Sequence, residues 1–346
     1  MRPLIDRLVP ALEAPEPLIL EEARHASLRP SLRREEAHRH FLERIPALHA
    51  IEGMPSAHAP PWPGTVRVAA FNAQRLRNRP ALRHLMDEVG ATITLLSEAD
   101  CGMARSGNVH TIRELTSGTE EGYLYGVEFV ELDHGSEDEA RRWGGEHNGC
   151  SLHGNALVSG LSLEDAHLIP LEETGFWFRG LDGFQRRIGG RMALAARVAG
   201  APKPLWVVSV HLESKTDPAD RQAQMKSLLR ALAAIAPDEA CIIGGDLNTK
   251  ALPRAEGERR LLLDAPERYE PLFADLKDAG FEWRFANLAL PTQTPGPTDK
   301  HRPPFGKLDW IVVRGVTACN PQIVHAVDEQ GRPISDHEMI AADIVL

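Results

Sequence analysis

Cys241-Ile242-Ile243-Gly244-Gly245-Asp246-Leu247-Asn248 is an apolar run that stops on two glycines and an Asp-x-Asn. Three β-prone residues bounded by glycine read as a short buried strand, and the polar pair after it then stands at the strand's end. Near the C-terminus Ser335-Asp336-His337 follows the turn-like Arg332-Pro333 and precedes a second apolar run. Together the two stretches put oxygen ligands and an imidazole where a metal-assisted phosphoryl site needs them.

The same grammar recurs along the chain. Short apolar runs at 66–71, 91–96, 124–130, 155–159, 166–171, 192–198, 205–210, 241–244, 308–313 and 340–345 alternate in places with helical patterns near 79–89, 108–117, 218–235 and 266–279. Strands joined partly by helices and partly by hairpins predict two packed mixed sheets with helices outside. Polar residues close several of these runs: Asn72, Glu98, His211, then Asp246 with Asn248, while Asp309 lies inside an apolar run. A site assembled over one edge of a sheet has this appearance.

The bulk properties bound the class. With 346 residues and 42% hydrophobic content the chain is long enough for one large domain or two smaller ones. No stretch approaches the roughly 18 apolar residues of a membrane span, and Met1-Arg2-Pro3-Leu4-Ile5-Asp6 has no signal-peptide core, so a cytoplasmic location is expected. Cys101, Cys150, Cys241 and Cys319 form no C-x-x-C pair and read as reduced packing residues. The net charge of −10 disfavours non-specific adhesion to nucleic acid, though it leaves a nuclease open because bound Mg²⁺ cancels acidic charge locally. Residues 1–50 read as a helical appendage, 51–64 as a Pro-rich linker and 65–346 as the catalytic domain.

Carboxylate and amide oxygens without clustered Cys or His suit a hard cation, Mg²⁺ or Mn²⁺. Phe71-Asn72, Ser97-Glu98-Ala99-Asp100, Gly154-Asn155-Ala156, Val210-His211-Leu212, Gly245-Asp246-Leu247-Asn248, Leu308-Asp309-Trp310 and Ser335-Asp336-His337 occur in this order. In that order the set resembles the DNase I-like endonuclease/exonuclease/phosphatase superfamily, from about residue 65 to the C-terminus. The resemblance implies a four-layered α/β sandwich and a divalent metal held chiefly by Glu98, helped by Asn72 and Asp336. It implies that Asp246 orients or deprotonates the attacking water, that Asn248 helps to fix it, and that His337, paired with Asp309, holds a phosphoryl oxygen. His211 would contact the phosphate or assist the leaving group. Exonuclease III-type abasic-site nucleases resemble one another in carrying Tyr at that position, which ranks base-excision repair below the other readings.

On the substrate side stand Arg105, Asn155, Trp177 and Arg187. Arg105, in a segment frequent in bacterial members, reads either as a phosphate clamp or as the partner of Asp100. Topology places 132–152 and 172–190 over the catalytic mouth, where Phe176-Trp177-Phe178 and Arg186-Arg187 would meet the rest of the substrate. The expected activity is hydrolysis of a phosphodiester, in nucleic acid or a small molecule, by direct attack of water. A phosphomonoesterase, a phospholipid head-group hydrolase and a non-catalytic binding module on the same fold are the alternatives.

Overall fold

A computed structural model describes residues 3–181 and 183–346. In chain order its elements are β1 (Leu8–Val9), α1 (Pro17–Ser27), α2 (Arg34–Leu42), β2 (Ile51–Met54), β3 (Thr65–Asn72), α3 (Arg79–Val89), β4 (Ile93–Cys101), α4 (Thr111–Thr116), β5 (Gly122–Glu131) and α5 (Glu137–Trp143). There follow β6 (Leu152–Ser159), β7 (Leu163–Pro170), β8 (Arg187–Gly189), β9 (Met192–Val198), β10 (Leu205–His211), α6 (Pro218–Ile235), β11 (Ala240–Asp246), α7 (Leu261–Asp264), α8 (Leu272–Asp278), β12 (Asp309–Arg314), β13 (Thr317–Val324) and β14 (Met339–Val345).

Two mixed sheets face one another. The larger runs β1-β2-β5-β6-β4-β3-β14-β13 with β8 added beside β5; the smaller runs β12-β11-β10-β9-β7. The central strands read as continuous apolar runs because both of their faces are covered. In β10, Leu205 and Val207 enter the core between the sheets, while Trp206, Val208 and Val210 pack in the core that also holds Met225, Leu228 and Leu232 of α6. In β3, Val66, Val68 and Ala70 point to the same inter-sheet core and Ala69 and Phe71 to the one that includes Leu82, Leu85 and Met86 of α3. Helix, sheet, sheet and helix make the four layers expected from the sequence.

Helix α3 shows how local chemistry sets an element. The Asn78 side chain caps its start, accepting from the Ala81 N–H, Pro80 occupies the first turn, and Gly90 ends it in the left-handed conformation at φ 66°. Gly244 sits where no side chain fits. A Cβ there would collide with Leu95 and Ala70 of the opposite sheet, so this glycine lets the two sheets close on one another directly behind the site.

The N-terminal segment departs from expectation. Residues 3–12 are extended, not helical: Ile5 bridges to Leu168 of β7, and β1 pairs with β2. Apolar residues every third or fourth position also suit a strap whose alternate contacts fall on two sheets, and Ile5 enters the inter-sheet core. Ile51–Met54, expected within the linker, pairs with β5. Glu52 on this strand binds the Leu12 N–H at 2.8 Å, the Tyr123 hydroxyl at 2.7 Å and Arg113 at 2.9 Å.

Burial disfavours the Glu52 charge, but His110, the Leu12 amide and Arg113 outweigh it and depress the carboxyl to about 2. A carboxyl depressed in the fold contributes stability above its ordinary pKa and loses it as pH falls toward its native one. The melting temperature of wild type is therefore expected to fall between about pH 4.5 and 2 more steeply than that of Glu52→Gln, as scanning calorimetry across that range checks.

Candidate active site

Three strand ends of the smaller sheet lie in one row: His211 of β10 is paired with Asp246 of β11, and Asp246 with Asp309 of β12. Facing them from the larger sheet, Asn72 closes β3 and is paired with Ser97, next to Glu98 on β4. Glu98 sits at an irregularity in the β4–β6 pairing, with φ 60°, so its side chain leaves the strand's regular alternation.

Asp246 is the hub. Its Oδ2 accepts from Asn72 Nδ2 at 3.1 Å across the sandwich, and its Oδ1 accepts the Asn248 N–H at 2.8 Å. That second bond bends the chain so that Asn248 takes φ 50°, a conformation asparagine tolerates, and its Nδ2 donates to the Leu212 carbonyl at 2.9 Å. Nε2 of His337 and Nε2 of His211 each stand 3.6 Å from the same Oδ2. His337 Nδ1 donates to Asp309 Oδ2 at 2.8 Å, which fixes its tautomer, and Ser335 ties the Ser-Asp-His turn to β3 by donating to the Asn72 carbonyl at 2.7 Å.

The two imidazoles differ electrostatically. Burial disfavours charge on both, but Asp309 and Asp246 together lift His337 well above its ordinary value. Burial and the nearby Arg191 push His211 well below its own. A charged His337 and a neutral His211 thus flank one carboxylate. Asp246 itself, buried and beside Asp309, is pushed up to about 6 even though His337 opposes the rise.

The oxygen donors expected at a metal, Glu98, Asn72 and Asp336, lie on β4, at the end of β3 and just before β14. Burial opposes the Glu98 charge, and Arg75, ion-paired with it, holds the carboxyl below the usual range while Asp336 works the other way. Asp336 Oδ2 accepts from His301 Nε2 at 3.0 Å, which against burial helps to hold its carboxyl below the usual range. Two carboxylates close enough to repel, with an amide between strand ends, have the hard-oxygen chemistry that fits a divalent cation. Asp246, Asp309 and His337 are also mutually close, with ligand atoms within 4.8 Å of one another.

The substrate-side expectations fare differently. Arg105 is fully buried and donates to both oxygens of Asp100, at 2.8 and 2.9 Å, and to Glu131 at 3.1 Å, the ion-pair arrangement that was one of its two readings. Trp177 is 3% exposed and donates Nε1 to Glu213 at 2.8 Å. Arg187 pairs with Glu131 at 2.8 Å and lies over the rings of Phe129 and Trp177. Buried aromatic area and a carboxylate for each guanidinium hold these side chains in place within the fold. Asn155 is buried on β6 and donates to the Met192 carbonyl at 3.2 Å, joining the two sheets.

Several residues near the site carried no sequence signal. His153 is buried and bonded to Asp100 at 2.8 Å, His301 meets Asp336, and Glu128 approaches His211 Nδ1 at 3.9 Å. His153 stands beside Gly154-Asn155, which was the one available hint; His301 lies in a loop and Glu128 in an apolar strand, where nothing marks either.

A family model described as the endonuclease/exonuclease/phosphatase family matches residues 65–337. Among solved structures, the endonuclease/exonuclease/phosphatase from Beutenbergia cavernae DSM 12333 superposes with a TM-score of 0.56 at 16% identity, over 82% of this chain and 72% of that one. The endonuclease/exonuclease/phosphatase from Bacteroides vulgatus gives 0.53 at 14%, over 82% and 99%. D. rerio TDP2 complexed with a single-strand DNA product gives 0.51 at 16%, over 82% and 99%. At these identities the likenesses show a shared fold. No curated protein matches the chain by sequence.

Proposed function

The chain belongs to the endonuclease/exonuclease/phosphatase family, a family of phosphoesterases, and from that premise we propose that it hydrolyses a phosphodiester by direct attack of water on phosphorus, in a divalent-metal-dependent reaction. The observation that carries this reading is the Asp246 carboxylate, held by Asn72 and the Asn248 amide and flanked at 3.6 Å by two imidazoles. Asp246 orients the water and takes its proton. The charged His337, fixed by Asp309, stabilises a phosphoryl oxygen, and the neutral His211 serves the phosphate or the leaving group. Asn248 keeps the Asp246 loop in place through Leu212.

Glu98, Asn72 and Asp336 would hold Mg²⁺ or Mn²⁺. Such an ion, when bound, neutralises phosphate charge and lowers the pKa of a coordinated water.

A compact diester is favoured over a polymer. Arg187 and Arg191 are buried in ion pairs, Arg186 binds Asp133 at 2.6 Å, Arg141 pairs with Asp138, and Arg142 lies over Trp143. These arginines form no free basic rim to guide a polyanion against the net charge of −10. Among the described residues no helix is long and apolar enough to cross a membrane.

The test is turnover of bis-p-nitrophenyl phosphate and p-nitrophenyl phosphate with Mg²⁺, Mn²⁺ and Ca²⁺. Metal-dependent cleavage of the diester, lost in EDTA and restored by Mg²⁺ or Mn²⁺, is expected. Preference for the monoester would transfer the assignment to a phosphomonoesterase, and no turnover of either ester with any of the three ions would favour a binding module.

A further inference from the structure

We propose that Arg75 is a displaceable counter-ion: it holds the Glu98 carboxylate until a divalent cation takes that carboxylate, and its guanidinium then receives the phosphate of the substrate. The inference rests on the metal-dependent reading above. The Arg75 side chain is only 12% exposed, and its Nη1 is paired with Glu98 Oε2. Its Nε lies 3.6 Å from Glu139 Oε1 and makes no hydrogen bond.

The backbone is committed to this placement. Gln74, Arg75 and Leu76 have φ of 43°, 74° and 49°, three successive non-glycine residues in the left-handed region. That strained turn leaves β3 immediately after Asn72 and carries the Arg75 side chain across to Glu98 on the neighbouring strand. Sparsely populated backbone conformations persist where the surroundings over-determine them, often at functional sites.

Charge accounting gives the consequence. Glu139, from the first turn of α5, is shared by Arg75, Arg77 and Arg105, and the two oxygens of Asp100 are spent on Arg105. With Glu98 engaged by a cation and Arg105 met by Asp100 and Glu131, Glu139 alone cannot neutralise both Arg75 and Arg77, so Arg75 keeps an unspent charge and free donors. A phosphoryl group, with two oxygens matching the planar fork, is the chemistry that satisfies both. Substrate and metal would then bind cooperatively through one side chain, which metal-free protein keeps paired.

Mn²⁺ binding, followed by electron paramagnetic resonance and calorimetry, and inorganic phosphate binding with and without Mn²⁺ test this. Wild type is expected to bind phosphate more tightly in Mn²⁺. Arg75→Gln should bind Mn²⁺ at least about fivefold more tightly and phosphate, in Mn²⁺, at least about fivefold more weakly, the low end of measured couplings between linked sites. Arg75→Lys, keeping the charge but losing the fork, should leave Mn²⁺ affinity near wild type while phosphate affinity falls. Thermal unfolding of each variant checks that it is folded, and a merely structural role would not raise metal affinity. Equal or weaker Mn²⁺ binding by Arg75→Gln, or unchanged phosphate binding, overturns the proposal and leaves the metal-dependent reading standing. Failure of wild type to bind Mn²⁺ at all removes both.

Discussion

Asp246→Asn is expected to lower kcat/KM on the cleaved ester by about 10²–10⁴-fold, the range a positioned general base contributes. The melting temperature should stay near that of wild type. The native carboxyl is raised to about 6, above its ordinary 3.8, so at neutral pH its charge opposes folding; a neutral amide removes that cost but leaves one of the two N–H donors, from Asn72 or Asn248, without its acceptor. His337→Ala should lose activity on a similar scale, because Asp309 would then face the site without its cationic partner. Steady-state kinetics beside thermal unfolding decides the matter. Turnover near wild type in either variant would refute the roles assigned to Asp246 and His337.

Arg105→Met carries the largest expected effect on stability. The guanidinium is the shared partner of Asp100, Glu131 and Glu139, all buried, and burial would leave them facing one another without it. Breaking a buried ion pair by removing one partner costs about 3–5 kcal/mol, and here several contacts go together. A fall in melting temperature on the order of 10 °C or more follows from that cost. Arg105→Lys should rescue little, since an ammonium cannot bridge both oxygens of Asp100. A clamp on substrate would behave oppositely, raising KM while leaving unfolding unchanged; that pattern would return Arg105 to the substrate.

The strands and the chemistry at their ends were legible for a physical reason. A buried strand needs an uninterrupted apolar run, and a polar residue that ends it must lie at the sheet's edge, so Asn72, His211 and Asp246 reported their own positions. The N-terminal strap was misread because spacing alone does not separate a helix from an extended segment that touches two sheets. β8, three residues long, owes its existence to β5 beside it and carries no pattern of its own. Trp177 and Arg187 read as ligand-contacting residues in a loop, and nothing local announced that the fold engages them with Glu213, Glu131 and Phe129.

Along the chain, then, could be read which groups can bind a hard cation, activate water and stabilise a phosphoryl oxygen, because those properties belong to each side chain and to its place at the end of a local element. Which groups meet is a long-range matter. Asn72 reaches Asp246 across 174 positions, and Ser335 reaches Asn72 across 263. A guanidinium has the same chemistry toward a carboxylate as toward a phosphate, so which groups Arg105, Arg187 and Arg75 meet was decided by the packing of two sheets and by which carboxylates it left within reach.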